Sequence, residues 1–191
     1  MLYLLQSGTA ENLQKFVKNG GQLLATYFTG YVDKDTLCYL GGFPGDGLAE
    51  LFGVISEEID TLYPSDRNSL CFLDGKKWTV YDYAEILRVQ DAQILASYGT
   101  DFYEGSAALT VKEWESDTHT GENGRAYYIA ARVAPEEMGS LFETMLANAG
   151  IAVKDLPGEV EYHQRQGEDT TYEFYPVSYT HLRAHETCAD L

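Results

Sequence analysis

An α/β fold is predicted by three features that follow one another in Leu13–Pro44. These are a short amphipathic helix closed by Gly20 and Gly21, a wholly apolar strand, and a glycine-rich loop beyond it. In α/β sheets, ligands gather beyond the carboxyl ends of the strands. Here that position receives Tyr27, Phe28 and Thr29, not a nucleophile with a base beside it. The architecture of a catalytic fold is therefore expected without its chemistry.

The elements follow in order. Met1–Leu5 is a continuous apolar run, which suits a buried parallel strand. Ser7 and Thr9 are candidate N-caps, and Glu11 stands where a helix dipole favours an anion. Ala10, Leu13, Phe16 and Val17 share one helical face, and Gly20-Gly21 supplies a left-handed stop. Gln22–Phe28 then reads as a central strand, Gly41–Gly47 as a turn-rich loop and Leu48–Phe52 as a short helical piece. Val54–Leu62 and Leu70–Val80 read as strands, the second broken by an Asp74-Gly75 hairpin signal. Tyr83–Leu87 reads as a short helix, and Ala92–Tyr98, Ala107–Trp114 and Arg125–Ala131 as strands. The last two bracket a polar loop, Glu115–Gly124. Pro135 opens a helix in which Met138, Leu141, Phe142, Met145, Leu146 and Ala149 keep i, i+3, i+4 spacing, and Gly150 ends it. Val153–Gly158 reads as a linker. Glu159–Arg165 and Thr170–Tyr175 alternate as a β-hairpin around Gln166–Asp169. The expected whole is a three-layer, flavodoxin-like α/β core followed by a short C-terminal β-hairpin.

Composition narrows the function. The 191 residues are 45% hydrophobic, which supports a packed core. Against 13 basic residues stand 30 acidic ones, a formal charge of −17. Such a surface repels nucleic acid and anionic membranes, because phosphate contacts depend on Lys and Arg. Cys38, Cys71 and Cys188 are odd in number and widely spaced, with no CxxC, so neither a disulfide framework nor a zinc site is expected. Free thiols suit a reducing cytoplasm. The opening residues have no basic n-region, and no apolar run nears the ~20 residues of a membrane helix.

An ordered series of segments resembles the middle domain of family 42 glycoside hydrolases, the bacterial β-galactosidases. It comprises Met1–Leu5, Phe16–Gly21 (FVKNGG), Leu23–Gly30 (LLATYFTG), Tyr39–Gly45 (YLGGFPG), Ala96–Tyr103 (ASYGTDFY) and Gly124–Ala131 (GRAYYIAA). The resemblance implies a class I glutamine-amidotransferase-like domain over 1–152, truncated at its start and used for trimerisation rather than catalysis. It implies that 153–177 begin a C-terminal β domain. It further implies a homotrimer whose galactoside is bound by a missing barrel domain carrying both catalytic glutamates. The tail 178–191 (SYTHLRAHETCADL) breaks the pattern and resembles translated sequencing-adapter read-through.

The candidates for chemistry weigh against an active site. In glutamine amidotransferases a Cys sits on a sharp turn with a Gly two residues on. Aligning that Gly with Gly30 puts Phe28 at the nucleophile position, and a phenyl ring has nothing to attack with. Cys38 has no His near it in sequence, and Cys71 falls in an apolar strand, where a thiol behaves as a small hydrophobe. The acid pairs Glu57-Glu58 and Glu136-Glu137 arise readily in so acidic a chain, and a helix dipole explains the second. His181 and His185, with Glu186 and Cys188, could share a metal on a helix but do not match HExxH and lie in the aberrant tail. His119 and His163 are isolated, and Gly41–Gly47 lacks the order of a phosphate cradle. No cofactor or metal is therefore expected. Tyr27, Phe28, Tyr31, Tyr39 and Phe43 remain, clustered at one sheet edge. They suit a core rim, a subunit interface or a sugar-stacking rim. The alternatives to a scaffold are a Cys-dependent amidotransferase-like or protease-like hydrolase and a stand-alone sugar-binding module.

Overall fold

The computed structural model describes residues 2–39, 41–116, 123–158 and 160–176. His119, His181, His185, Glu186, Cys188 and the 178–191 tail lie outside the described residues. The chain divides into two compact units, Met1–Ile151 and Ala152–Leu191.

The first unit begins with α1 (Thr9–Lys18), β1 (Gln22–Thr26) and α2 (Leu48–Phe52). Strands β2 (Val54–Thr61), β3 (Asn68–Phe72), β4 (Lys77–Val89), β5 (Gln93–Tyr98), β6 (Ala107–Trp114), β7 (Gly124–Ile129) and β8 (Ala131–Val133) follow, then α3 (Gly139–Asn148). The strands form one sheet in the order β1-β7-β6-β5-β3-β4-β2, with β8 also paired to β4. Only β1 and β7 run parallel, from Gln22 opposite Arg125 to Thr26 opposite Ile129. The other pairings of this sheet are antiparallel. One of these pairings follows from a tight hairpin: Gly75 adopts a positive φ of 88° between β3 and β4, and a chain turned back so sharply can only pair antiparallel. The sheet is thus mixed, where a flavodoxin-like core would be parallel.

A core lies on each sheet face. On β7, Ala126 and Tyr128 point toward Val17 of α1 and Leu48, Leu51 and Phe52 of α2. The alternate residues Tyr127 and Ile129 join Trp78, Tyr98, Leu109 and, from α3, Leu141 and Met145. This period-2 division is what a sheet covered on both faces requires. Each fully buried Leu or Phe contributes about 1.5–3 kcal/mol relative to exposure.

Several local expectations are corrected. Where Met1–Leu5 is expected as a buried strand, the described residues Leu2–Leu5 form none: Leu4 makes a single parallel bridge to Val32, and Leu2 and Tyr3 are exposed. The carbonyls of Leu2 and Tyr3 instead accept from the N–H groups of Gly30 and Tyr31, at 2.8 and 3.0 Å. Neither Ser7 nor Thr9 caps α1; Gly8 does, at φ 83° and with no side-chain cap. Tyr83–Leu87 is strand, inside β4. Helix-forming residue types there yield to pairing with β2 and β8, which satisfies their backbone groups. Asp82 at φ 53° supplies the irregularity that lets β4 serve both neighbours. The helix after Pro135 opens with a 3-10 turn over Pro135–Met138, and its α-helical part begins at Gly139.

The second unit contains an antiparallel hairpin of β9 (His163–Gln166) and β10 (Thr171–Phe174). Lys154 braces this unit, its amine 3.5 Å from the Tyr162 ring centroid and 3.1 Å from the Glu173 carboxylate.

The close approach of α1 to β7 makes a prediction. A Cβ at Gly124 would lie 1.8 Å from the backbone oxygen of Val17, which cannot rotate away. Gly124→Ala should lower stability by about 1–3 kcal/mol in urea unfolding, as overpacking does. Gly139→Ala, whose new Cβ would meet nothing within 4 Å beyond its chain neighbours and its own helix backbone, should be neutral or slightly stabilising. Equal effects of the two substitutions would contradict this packing.

Candidate functional site

The candidate site is the turn that follows β1. Thr26 ends the strand, and its carbonyl accepts from the Thr29 hydroxyl at 2.6 Å. Phe28 has φ 59° and Gly30 φ 62°. A left-handed backbone is free for glycine but costs a bulky residue on the order of 1–3 kcal/mol. Gly30 is also confined from outside, since a Cβ there would meet the Gly45 nitrogen at 2.8 Å. The loop Gly41–Gly47 therefore packs directly against the turn.

What holds Phe28 in this conformation is a carboxylate. Its N–H donates to Oε1 of Glu85 at 2.6 Å, and the Tyr128 hydroxyl donates to Oε2 at 2.8 Å. Glu85 is 0% exposed. Its own backbone N–H donates to the Ala130 carbonyl at 2.7 Å. The Tyr98 hydroxyl reaches the carbonyls of both Glu85 and Ala130, at 3.0 and 3.1 Å. Burial pushes the Glu85 carboxyl up to about 7, against the smaller opposing effects of Phe28, Tyr128 and Ser56. The Ser56 hydroxyl lies close enough to favour the charged form, yet it falls outside hydrogen-bond geometry and has no partner. Burial likewise raises Tyr98 and Tyr128 well above the usual phenol range.

Above this carboxylate the structure brings together all five aromatic residues singled out in the sequence. Tyr27 lies 5.3 Å from Phe28, Phe28 5.7 Å from Tyr31, and Tyr31 5.1 Å from Tyr39 and 5.0 Å from Phe43, between ring centroids. Two further rings join them: Tyr83 at 5.2 Å from Phe28, and Tyr3 at 5.5 Å from Tyr31. The rings differ in exposure. Phe43 is buried at 4%, Tyr39 is 54% exposed, and Tyr27, Phe28 and Tyr31 are half-buried. The Asp33 carboxylate shapes the loop that carries Tyr39, accepting from the N–H groups of Asp35, Thr36 and Cys38 at 2.7–2.9 Å. Those bonds, the Thr36 hydroxyl first, hold its carboxyl well below the usual range.

Sequence reasoning missed Glu85, Tyr98 and Tyr128. Glu85 falls within Tyr83–Leu87, the stretch read as a short helix. A single acid flanked by Tyr83, Ala84, Ile86 and Leu87 was the available signal.

No nucleophile occupies the turn. Cys38 is exposed, and Cys71 sits in β3 with its Sγ 3.5 Å from the Ser69 hydroxyl. The one histidine among the described residues, His163, belongs to the second unit. Among the described residues no cluster of three metal-capable side chains occurs, and no helix is long and apolar enough to cross a membrane. A cleft of about 780 Å³ opens on the α3 face, lined by Trp78, Leu109, Tyr127 and Leu141, and none of the five rings lines it.

Comparison with known proteins places most of this chain within one family. The family described as the β-galactosidase trimerisation domain matches residues 1–152. Curated relatives include the β-galactosidases BglY of Alicyclobacillus acidocaldarius, 37% identical over 90% of this chain and 25% of its own length, and Pbg of Clostridium perfringens, 35% identical over 92% and 26%. The chain spans about a quarter of the length of these relatives. Among solved structures, a GH42 β-galactosidase from G. stearothermophilus superposes with a TM-score of 0.78 at 32% identity, over 92% of this chain and 25% of that one. A β-galactosidase from Bacillus circulans sp. alkalophilus gives 0.80 at 28%, over 91% and 26%.

The buried carboxylate sets a pH dependence. Unfolded, Glu85 titrates near 4.5; folded, near 7, so the folded chain holds an extra proton between those values. Its contribution is then greatest below about pH 4.5 and is lost as pH rises through about 7, by roughly 3 kcal/mol in all. Glu85→Gln should remove that slope. Urea unfolding of both chains at several values between pH 4.5 and 8 would check this; parallel pH profiles would rule out the linkage.

Proposed function

This chain belongs to the family of β-galactosidase trimerisation domains, and we propose that residues 1–152 assemble a family 42 β-galactosidase into a homotrimer. The observation that carries the reading is the turn after β1. A left-handed backbone there offers not a reactive group but a phenyl ring, Phe28, embedded in a chain of aromatic rings. Large rings with few charges among them favour packing against a neighbouring subunit. Tyr27, Phe28, Tyr31 and Tyr39 form the contact, and buried Phe43 supports it from beneath. The domain is amidotransferase-like, with Phe28 at the position a nucleophile would hold.

Residues 153–177 begin the C-terminal β domain, and 178–191 are read-through. In the complete protein a barrel domain binds the terminal β-galactoside and supplies two glutamates for retaining hydrolysis. The setting is cytoplasmic, consistent with unpaired Cys38 and Cys71. No cofactor takes part, and the 1–177 portion hydrolyses nothing by itself.

Sedimentation velocity tests the assembly role. The chain should run as a trimer, and Tyr39→Glu, which puts a charge on the most exposed of the five rings, should shift it toward monomer with its circular dichroism unchanged. A folded monomer at all concentrations would overturn the reading. Incubation with a chromogenic β-galactoside should give no turnover above a heat-killed control.

A further inference from the structure

Assembly through aromatic packing leaves Glu85 without a task. A carboxyl group in a sealed core is costly, and an apolar residue would fill the same space at lower cost. Here it receives the backbone N–H of Phe28, the residue from which Tyr27, Tyr31 and Tyr83 fan out in ring contact. The bond is made to the main chain, so it governs where the turn sits, not merely one side chain. It also offsets the unfavourable φ of Phe28. Beside it, the buried Ser56 hydroxyl has no hydrogen-bond partner.

We propose that Glu85 is a proton-operated latch for the aromatic surface. When ionised, it clamps the Phe28 turn and holds Tyr27, Phe28 and Tyr31 in the arrangement on which a neighbouring subunit packs. When protonated, it loosens that turn. The inference rests on the reading of this surface as a subunit interface. The step is the uptake of one proton from water. One carboxylate oxygen becomes a hydroxyl, which is a donor where the carboxylate could only accept. The remaining neutral carbonyl is a weaker acceptor for Phe28 than a carboxylate is.

The groups that face Glu85 leave it free to titrate by itself. Tyr128 approaches from β7, Tyr98 from β5 and Tyr27 from the turn, and burial keeps all three phenols neutral around pH 7. From β2 come the uncharged Ser56 and Ile59. Asp82, paired with Arg132, acts on Tyr27, and Asp60 acts on Tyr98; neither contacts the Glu85 carboxylate.

The test uses the 191-residue chain between pH 5 and 9, with the Phe28 amide proton followed by NMR and association followed by sedimentation velocity. The amide signal should move downfield with one midpoint near neutrality and stay fixed in Glu85→Gln. The association constant should rise through the same midpoint on the order of tenfold, the worth of one charge-assisted hydrogen bond over a neutral one. An amide signal that ignores pH would overturn the latch. A titrating amide with pH-independent trimers would overturn its link to assembly while leaving the interface standing. A titrating amide in a chain that is monomeric throughout would remove the interface, and the proposal with it. Should Glu85→Gln fail to fold, Tyr128→Phe serves. It deletes one donor to the carboxylate and should move the midpoint upward, and an unmoved midpoint counts against the latch.

Discussion

The hydrogen bond from the Phe28 N–H to the Glu85 carboxylate joins the two ends of the sheet's logic. Phe28 hangs from β1, the strand at one end of the sheet order, and Glu85 sits on β4 near the other end. Between them, Tyr128 of β7 donates to the carboxyl group, and Tyr98 of β5 donates to the Glu85 backbone carbonyl. A charge-capable group in so enclosed a place is tolerated because both its oxygens have donors. Remove it and the left-handed turn loses its support, while the Tyr128 hydroxyl loses its acceptor.

That constraint explains why the aromatic rings form one connected surface. A phenylalanine held at positive φ turns its ring back toward the chain that leaves the strand, where Tyr31 follows and Gly30 lets the 41–47 loop close in. Phe43 then fills the space beneath Tyr31, and Asp33 folds the intervening loop so that Tyr39 returns beside it. The rings are therefore not a stripe on one element. They come from the opening segment, the turn, two loops and β4, and only the fold makes them neighbours.

Pattern and punctuation carried much of the fold. β6 agrees residue for residue with the predicted Ala107–Trp114, and α2 with Leu48–Phe52, because apolar runs bounded by glycine or by polar loops leave little choice of period. The Asp74-Gly75 signal placed the β3–β4 turn for the same local reason. The five rings were legible as a group because they fall within seventeen residues of one another, on a strand end and the loop after it. Where the reading failed, local preference and tertiary pairing disagreed. Tyr83–Leu87 has helix-forming residues but two strands to pair with, and Met1–Leu5 is apolar enough for a strand but pairs with a turn.

Composition, periodicity and the order of motifs thus determined the α/β class, the positions of most elements, the family resemblance and the absence of a nucleophile at the turn. Those properties are written in neighbouring residues, and neighbours are what a linear pattern reports. Tertiary structure alone decided that most of the sheet is antiparallel, that Glu85 lies sealed beneath Phe28, and that rings as distant in sequence as Tyr3 and Tyr83 belong to one surface. Those properties depend on which strands lie side by side. The free energy of burying a group far along the chain leaves no local trace by which to read it.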